Sequence, residues 1–187
     1  MHRILLVLVF ISIVAAGCAN GVRQNAADTD LAAIGHLGPS AQLGTFSTSF
    51  KPGDEGRDTN ILIASDSINQ VVVKSGEAFS FNETLGPTTE KNGYKPAMIY
   101  VSGKKSVGYG GGVCQVSSTL YNAAAVAGMT ITERHDHSLP VTYVEAGKEA
   151  ATSYGVKDFR FTNELSHPVV IQSHVVDGTI TVSVCAV

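Results

Sequence analysis

The chain has 187 residues, 44% hydrophobic and 16% charged, with a formal net charge of −3. That length and apolar fraction suit one globular domain and leave little room for two. The mildly acidic balance, with no Lys/Arg stripe or basic block, argues against nucleic acid as a partner.

The N-terminus, "MHRILLVLVFISIVAAGCAN", carries a short basic start (His2, Arg3), a purely apolar run from Ile4 to Val14, and small residues at Ala15, Ala16 and Gly17. This is signal-peptide layout, and the run is too short for a permanent membrane span. "VAAGC" resembles a bacterial lipobox, which implies cleavage after residue 17, lipid attachment at Cys18 and a membrane partner through that anchor. The alternative is an ordinary secretory signal with an incidental cysteine. Residues 18–42 are rich in Ala, Asn, Asp and Gly, without sustained periodicity, and read as a tether. The folded domain is expected over 43–187.

Within it, Thr45–Phe50 alternates like a strand, and "KPGDEG" is turn-rich. Residues 59–69 place Ile61, Ala64 and Ile68 on one stripe, fitting a short helix. "QVVVKSGEAFSFN" reads as two extended pieces around Ser75-Gly76. "TLGPTTEKNGYKP" reads as a polar loop, and "AMIYVSGKKSVG" as a hairpin. A substantial helix is expected over about 114–127, closed by Gly128. "MTITERH", "LPVTYV", "DFRFTN", "PVVIQSHVV" and "TITVSVCAV" supply strands, the last two joined at Asp177-Gly178. The sum is an α+β domain with a mostly antiparallel sheet, one substantial central helix and one shorter helix.

The chemistry concentrates at "GYGGGVCQVSSTLYNAA". A cysteine at a helix N-terminus meets open N–H groups and the positive dipole end. Both favour thiolate, so the Cys114 pKa is expected below the free value of roughly 8.5. Gly110, Gly111 and Gly112 let backbone approach a ligand and present N–H groups to an anion. The plainer reading is a tight turn and a small buried hydrophobe. Gln115, Thr119 and Asn122 form a polar helical stripe that either lines a cleft or faces water.

Downstream, "ERHDHSLP" puts His135 and His137 on one face of an extended segment, with Asp136 on the other. Either imidazole is a candidate general base for Cys114, and Asp158 could orient it. Zinc is the competing use of Cys plus His-x-His, but no fourth ligand stands out; a structural role for the pair stays open. His36 falls in the tether, and His167 and His174 read as surface or packing residues. Cys185 could pair with Cys114 outside the cytoplasm.

"FSTSF", "GEAFSFNETLGPTTEKNGY", "GGGVCQVSSTLYNAA" and "ERHDHSLPVTYVEAGKEAATSYGVKDFRFTN" resemble the VanW family, over about Leu43 to Val184. The resemblance implies an extracytoplasmic bacterial protein of the cell envelope, with peptidoglycan as a candidate partner. Its motif falls on Gly110, Gly111, Gly112, Cys114, Gln115, Ser117, Ser118, Tyr121 and Asn122. It continues at His135, His137, Ser138, Pro140, Tyr154, Gly155 and Asp158. Cys185 lies outside it, which argues against a required disulfide and for a free Cys114.

Two functions follow. One is a thiol-dependent amide hydrolase or transpeptidase acting on peptidoglycan peptides, with Cys114 as nucleophile, His135 or His137 as base and Asp158 as orienter. The glycines, Gln115, Ser117, Ser118, Tyr121 and Asn122 would then bind substrate. The other is a non-catalytic binding module for peptidoglycan or muropeptides that uses the same cleft. Neither implies a cofactor or a metal.

Overall fold

A computed structural model describes residues 41–101 and 103–187 of the chain. The signal-like segment 1–17, the lipobox cysteine Cys18, His36 and the tether up to residue 40 lie outside the described residues.

The mixed α/β architecture is as expected: nine strands in antiparallel sheets and three helices among the described residues, two of them substantial. Strands β1 (Gln42–Ser49), β2 (Val71–Val73), β8 (Val169–Val176) and β9 (Thr179–Ala186) form a four-stranded sheet in the order β1-β9-β8-β2. Period-2 alternation turns Ile180, Val182 and Val184 of β9 inward, all fully buried. The β8–β9 turn forms as its sequence dictates, with Asp177 at φ 48° and Gly178 at φ 73°. Helices α1 (Glu55–Ile68) and α3 (Val113–Val126) pack against this sheet. They contribute Ile61, Ala64 and Ile68 from one and Val116, Leu120, Ala123 and Ala124 from the other. The alanines serve close approach: a Cβ at Gly44 of β1 would lie 2.5 Å from the Ala123 carbonyl oxygen.

Strands β3 (Ala78–Ser80), β7 (Arg160–Thr162) and β6 (Thr130–Glu133) form a second sheet in the order β3-β7-β6. Phe79 and Phe161 stack across it with ring centroids 4.9 Å apart. Strands β4 (Pro96–Val101) and β5 (Lys104–Tyr109) form a separate hairpin that runs straight into the glycine turn.

Three elements differ from the sequence reading. Helix α1 begins at Glu55 rather than 59 and equals α3 at 14 residues. Asp54 caps it by accepting the Arg57 N–H at 3.1 Å. The glycine that suggested a loop is tolerated because β4 crosses there; a Cβ at Gly56 would sit 2.2 Å from the Pro96 carbonyl oxygen. Residues 81–85 form a short helix, α2 (Phe81–Leu85), where an extended piece was expected to end at Asn82 and a polar loop to begin at Thr84. Ser80 caps it by accepting the Glu83 N–H at 3.1 Å, a Ser-x-x-Glu start visible in the sequence. "LPVTYV" forms no strand. Further along the same irregular segment, Lys148 and Ala150 are tied to α3 side chains.

Candidate functional site

The glycine run forms the hinge between β5 and α3. Gly110 and Gly112 adopt φ of 85° and 103°, which side-chain-bearing residues rarely reach. Gly111 is squeezed instead: a Cβ there would meet the Met98 carbonyl oxygen at 2.4 Å. Buried Asn60 holds the turn, donating to the Gly111 carbonyl at 3.0 Å and accepting the Lys95 N–H at 2.8 Å. Two N–H groups at the start of the helix are already used: Val113 donates to the Gly110 carbonyl at 3.1 Å and Gln115 to the Gly112 carbonyl at 3.0 Å.

Gly112 is the N-cap of α3, so Cys114 does lie in its first turn. It is a free cysteine, with no bond to Cys185, which is buried in β9. The residue as a whole is half-buried, but its sulfur is desolvated. Among the described residues, Sγ hydrogen-bonds to Thr152 alone. It donates to the Thr152 carbonyl (3.5 Å), accepts the Thr152 N–H (3.4 Å) and lies 3.8 Å from the Thr152 hydroxyl. Desolvation raises the thiol pKa above its ordinary value. It outweighs the lowering by Thr152, by the Lys157 charge and by the cysteine's own N–H. This direction is opposite to the depressed pKa expected from the sequence, which counted the helix dipole and not the cost of burying a thiolate.

The two histidines part company. His137 lines a cleft of about 520 Å³ together with Cys114 and Gly110–Gly112. Its Nε2 is 3.1 Å from the Tyr143 hydroxyl, and the Tyr100 ring meets it edge-on at 6.2 Å. Burial lowers the His137 pKa, with Glu149 opposing and Lys157 assisting, so the imidazole is neutral at pH 7. His135 does not line this cleft; its Nε2 pairs with Glu133 at 2.8 Å. Asp158 orients neither ring. It is committed to the start of α2, accepting from the Ser80 hydroxyl (2.5 Å), the Asn82 N–H (2.9 Å) and the Phe159 N–H (2.8 Å).

The polar stripe Gln115, Thr119 and Asn122 is buried rather than wet, and of the three only Gln115 reaches the cleft. Ser117 donates to the Ala150 carbonyl at 2.6 Å, and Ser118 accepts the Ala150 N–H at 2.9 Å. Asn122 donates to the Lys148 carbonyl at 2.8 Å. These three bind residues 148–150 to the helix and so deliver Thr152 to the thiol. Thr119 hydrogen-bonds Thr48 of β1 at 2.8 Å. Gln115 borders the cleft, but its amide donates to Thr48 (3.0 Å) and Ser49 (3.1 Å) and accepts from Arg57. Tyr121 packs edge-on against Phe159 (5.8 Å), with the Arg134 guanidinium over its ring.

The cleft also holds residues that the sequence did not single out: Arg57, Tyr143, Thr152 and Lys157. Arg57 fell between the loop read over 51–56 and the helix expected from 59, and Tyr143 lay in a stretch read as strand. Nothing local marks Thr152. Ser138 and Tyr154, both in the quoted motif, line the cleft as well. Among the described residues, no group of three His, Cys, Asp or Glu side chains could hold a metal ion, and no helix is long and apolar enough to cross a membrane.

An antiparallel α/β domain whose glycine turn presents a free cysteine to a cleft is thus the class of protein defined here. The chain belongs to the VanW-like family: the family described as VanW like protein matches residues 56–185. It is 42% identical over 142 residues to YoaR of Bacillus subtilis (strain 168), covering 76% of this chain and 47% of that protein. It is 28% identical over 115 residues to the Vancomycin B-type resistance protein VanW of Enterococcus faecalis (strain ATCC 700802 / V583), covering 59% and 42%. The chain thus matches about half the length of these two relatives. No solved structure matches.

Proposed function

We propose that this protein is a thiol enzyme that cleaves or transfers an amide of a cell-envelope peptide, as a hydrolase or a transpeptidase. The observation that carries the reading is one cleft lined by both the free Cys114 and His137. The thiol pKa is raised and the imidazole pKa lowered, so the two groups rest neutral in the one cleft, as SH and free base, rather than as thiolate and imidazolium. Activation then waits for substrate. Cys114 Sγ attacks the carbonyl carbon as its proton passes to His137. The C–N bond breaks as His137 returns that proton to the departing amine. Water or a second amine takes the acyl group from the thioester and restores the thiol. In the tautomer whose Nε2–H donates to the Tyr143 oxygen, Nδ1 is the basic atom. The N–H groups of Gly112 and Cys114 are the candidates to hold the oxyanion.

The envelope setting rests on the signal-like N-terminus, the lipobox ending at Cys18 and the similarity to a vancomycin-resistance protein. On this reading the protein works outside the cytoplasm, anchored by lipid and facing peptidoglycan. The test is incubation with stem peptides followed by mass spectrometry. An acyl adduct on Cys114, lost in Cys114→Ala and His137→Ala, is expected. A second reading, a non-catalytic module holding peptide in the same cleft, is favoured by the desolvated thiol alone. Peptide binding without any adduct or product would select it.

A further inference from the structure

The charged side chains that line the cleft are both cationic, Arg57 and Lys157. Carboxylates act on it only from behind the lining, Glu149 on His137 and Tyr143 and Glu90 on Tyr109. Both cations are half-buried, and among the described residues neither takes part in an ion pair. A cation drawn partly out of water without a counter-charge regains only part of its solvation from neutral partners, which leaves it ready for an anionic one.

Arg57 is also held in place. Its guanidinium lies over the Phe50 ring at 5.3 Å and donates to buried Gln115. Its Cγ approaches within 3.0 Å of the position a Cβ would take at Gly112, two residues before the cysteine. Lys157 keeps one contact from Nζ, at 3.4 Å to the Asp136 carbonyl, and its charge reaches the Cys114 thiol. A planar guanidinium fixed on one side and an ammonium with donors to spare are a combination suited to carboxylate.

We propose that Arg57 and Lys157 form a carboxylate subsite beside Cys114, so that the cleft selects peptides bearing a free carboxylate close to the bond that reacts. This deepens the thiol-enzyme reading and rests on it only for the words "bond that reacts"; the subsite itself needs no chemistry.

The test uses Cys114→Ala protein in NMR titrations with acetyl-Ala-Ala and with its C-terminal amide. The acid should shift the Gly110–Gly112 amides and bind roughly tenfold more tightly than the amide, the loss expected for one charge-assisted contact. The preference should weaken with added salt. Lys157→Gln should remove several-fold of it, and Arg57→Lys, which keeps the charge without the fork, should remove part. Thermal melts confirm that each variant is folded. Equal binding of acid and amide, no shifts with either, or a preference untouched by both variants would overturn the subsite. A wild-type protein that binds the acid selectively yet never forms a Cys114 adduct would sink the enzyme and leave the subsite standing.

Discussion

The Thr152 amide donates its N–H to the Cys114 sulfur at 3.4 Å, while the thiol reaches the Thr152 carbonyl at 3.5 Å. The two contacts favour opposite states, since an N–H stabilises a thiolate and a carbonyl accepts only from S–H. Burial decides between them for the neutral thiol.

Alkylation of Cys114 should therefore have its pH midpoint above that of a free thiol, roughly 8.5. Iodoacetamide labelling against pH measures it. The sign for stability follows: a folded pKa above the unfolded one contributes stability that is complete below the unfolded pKa and is lost as pH rises through the folded value. Cys114→Ala should flatten the alkaline loss of stability. A midpoint below the free value would refute the neutral pair.

His137 and His135 should separate cleanly. His137→Ala should abolish Cys114 acylation. Because burial lowers its pKa, the acid limb of the rate profile should fall below the ordinary histidine value of about 6.5. Stability contributed by neutral His137 should decline as pH falls through the unfolded value toward the folded one. His135→Ala removes a half-exposed pair with Glu133 and should cost no more than about 1 kcal/mol by thermal melt, with acylation kept.

Asp158→Asn should damage folding and spare the thiol. It weakens a carboxylate that accepts from Ser80, Asn82 and Phe159 at the start of α2. A loss of about 1–3 kcal/mol is expected in denaturant titration, with the Cys114 labelling midpoint unchanged. A shifted midpoint at full folding would return Asp158 to the site.

Ser118→Ala should loosen the segment that carries Thr152. It strips the Ala150 N–H of its acceptor, at about 1–3 kcal/mol. Hydrogen exchange at Ala150 and Thr152 should quicken, and Cys114 labelling should speed up as the sulfur gains water. Unchanged exchange at both amides would show that other contacts hold the segment.

Much of this protein is determined by short-range pattern. Period-2 alternation places β8 and β9 and their Asp177-Gly178 turn; the apolar stripe and following Gly128 place α3 and its end; three glycines before a cysteine announce a turn into a helix. Those features depend on residues within one or two turns of each other. The motif blocks, read together, also mark the family. Which residues meet was decided only by tertiary structure. Gln115, Thr119 and Asn122 read equally well as cleft wall or wet face until β1 and the chain at Lys148, distant in sequence, folded against the helix to take their hydrogen bonds. His135 and His137, two apart, acquired different partners because the chain leaves β6 between Glu133 and the cleft. The thiol's protonation was beyond the sequence for the same reason: a helix dipole is local and legible, whereas desolvation is summed over every element that closes around the sulfur.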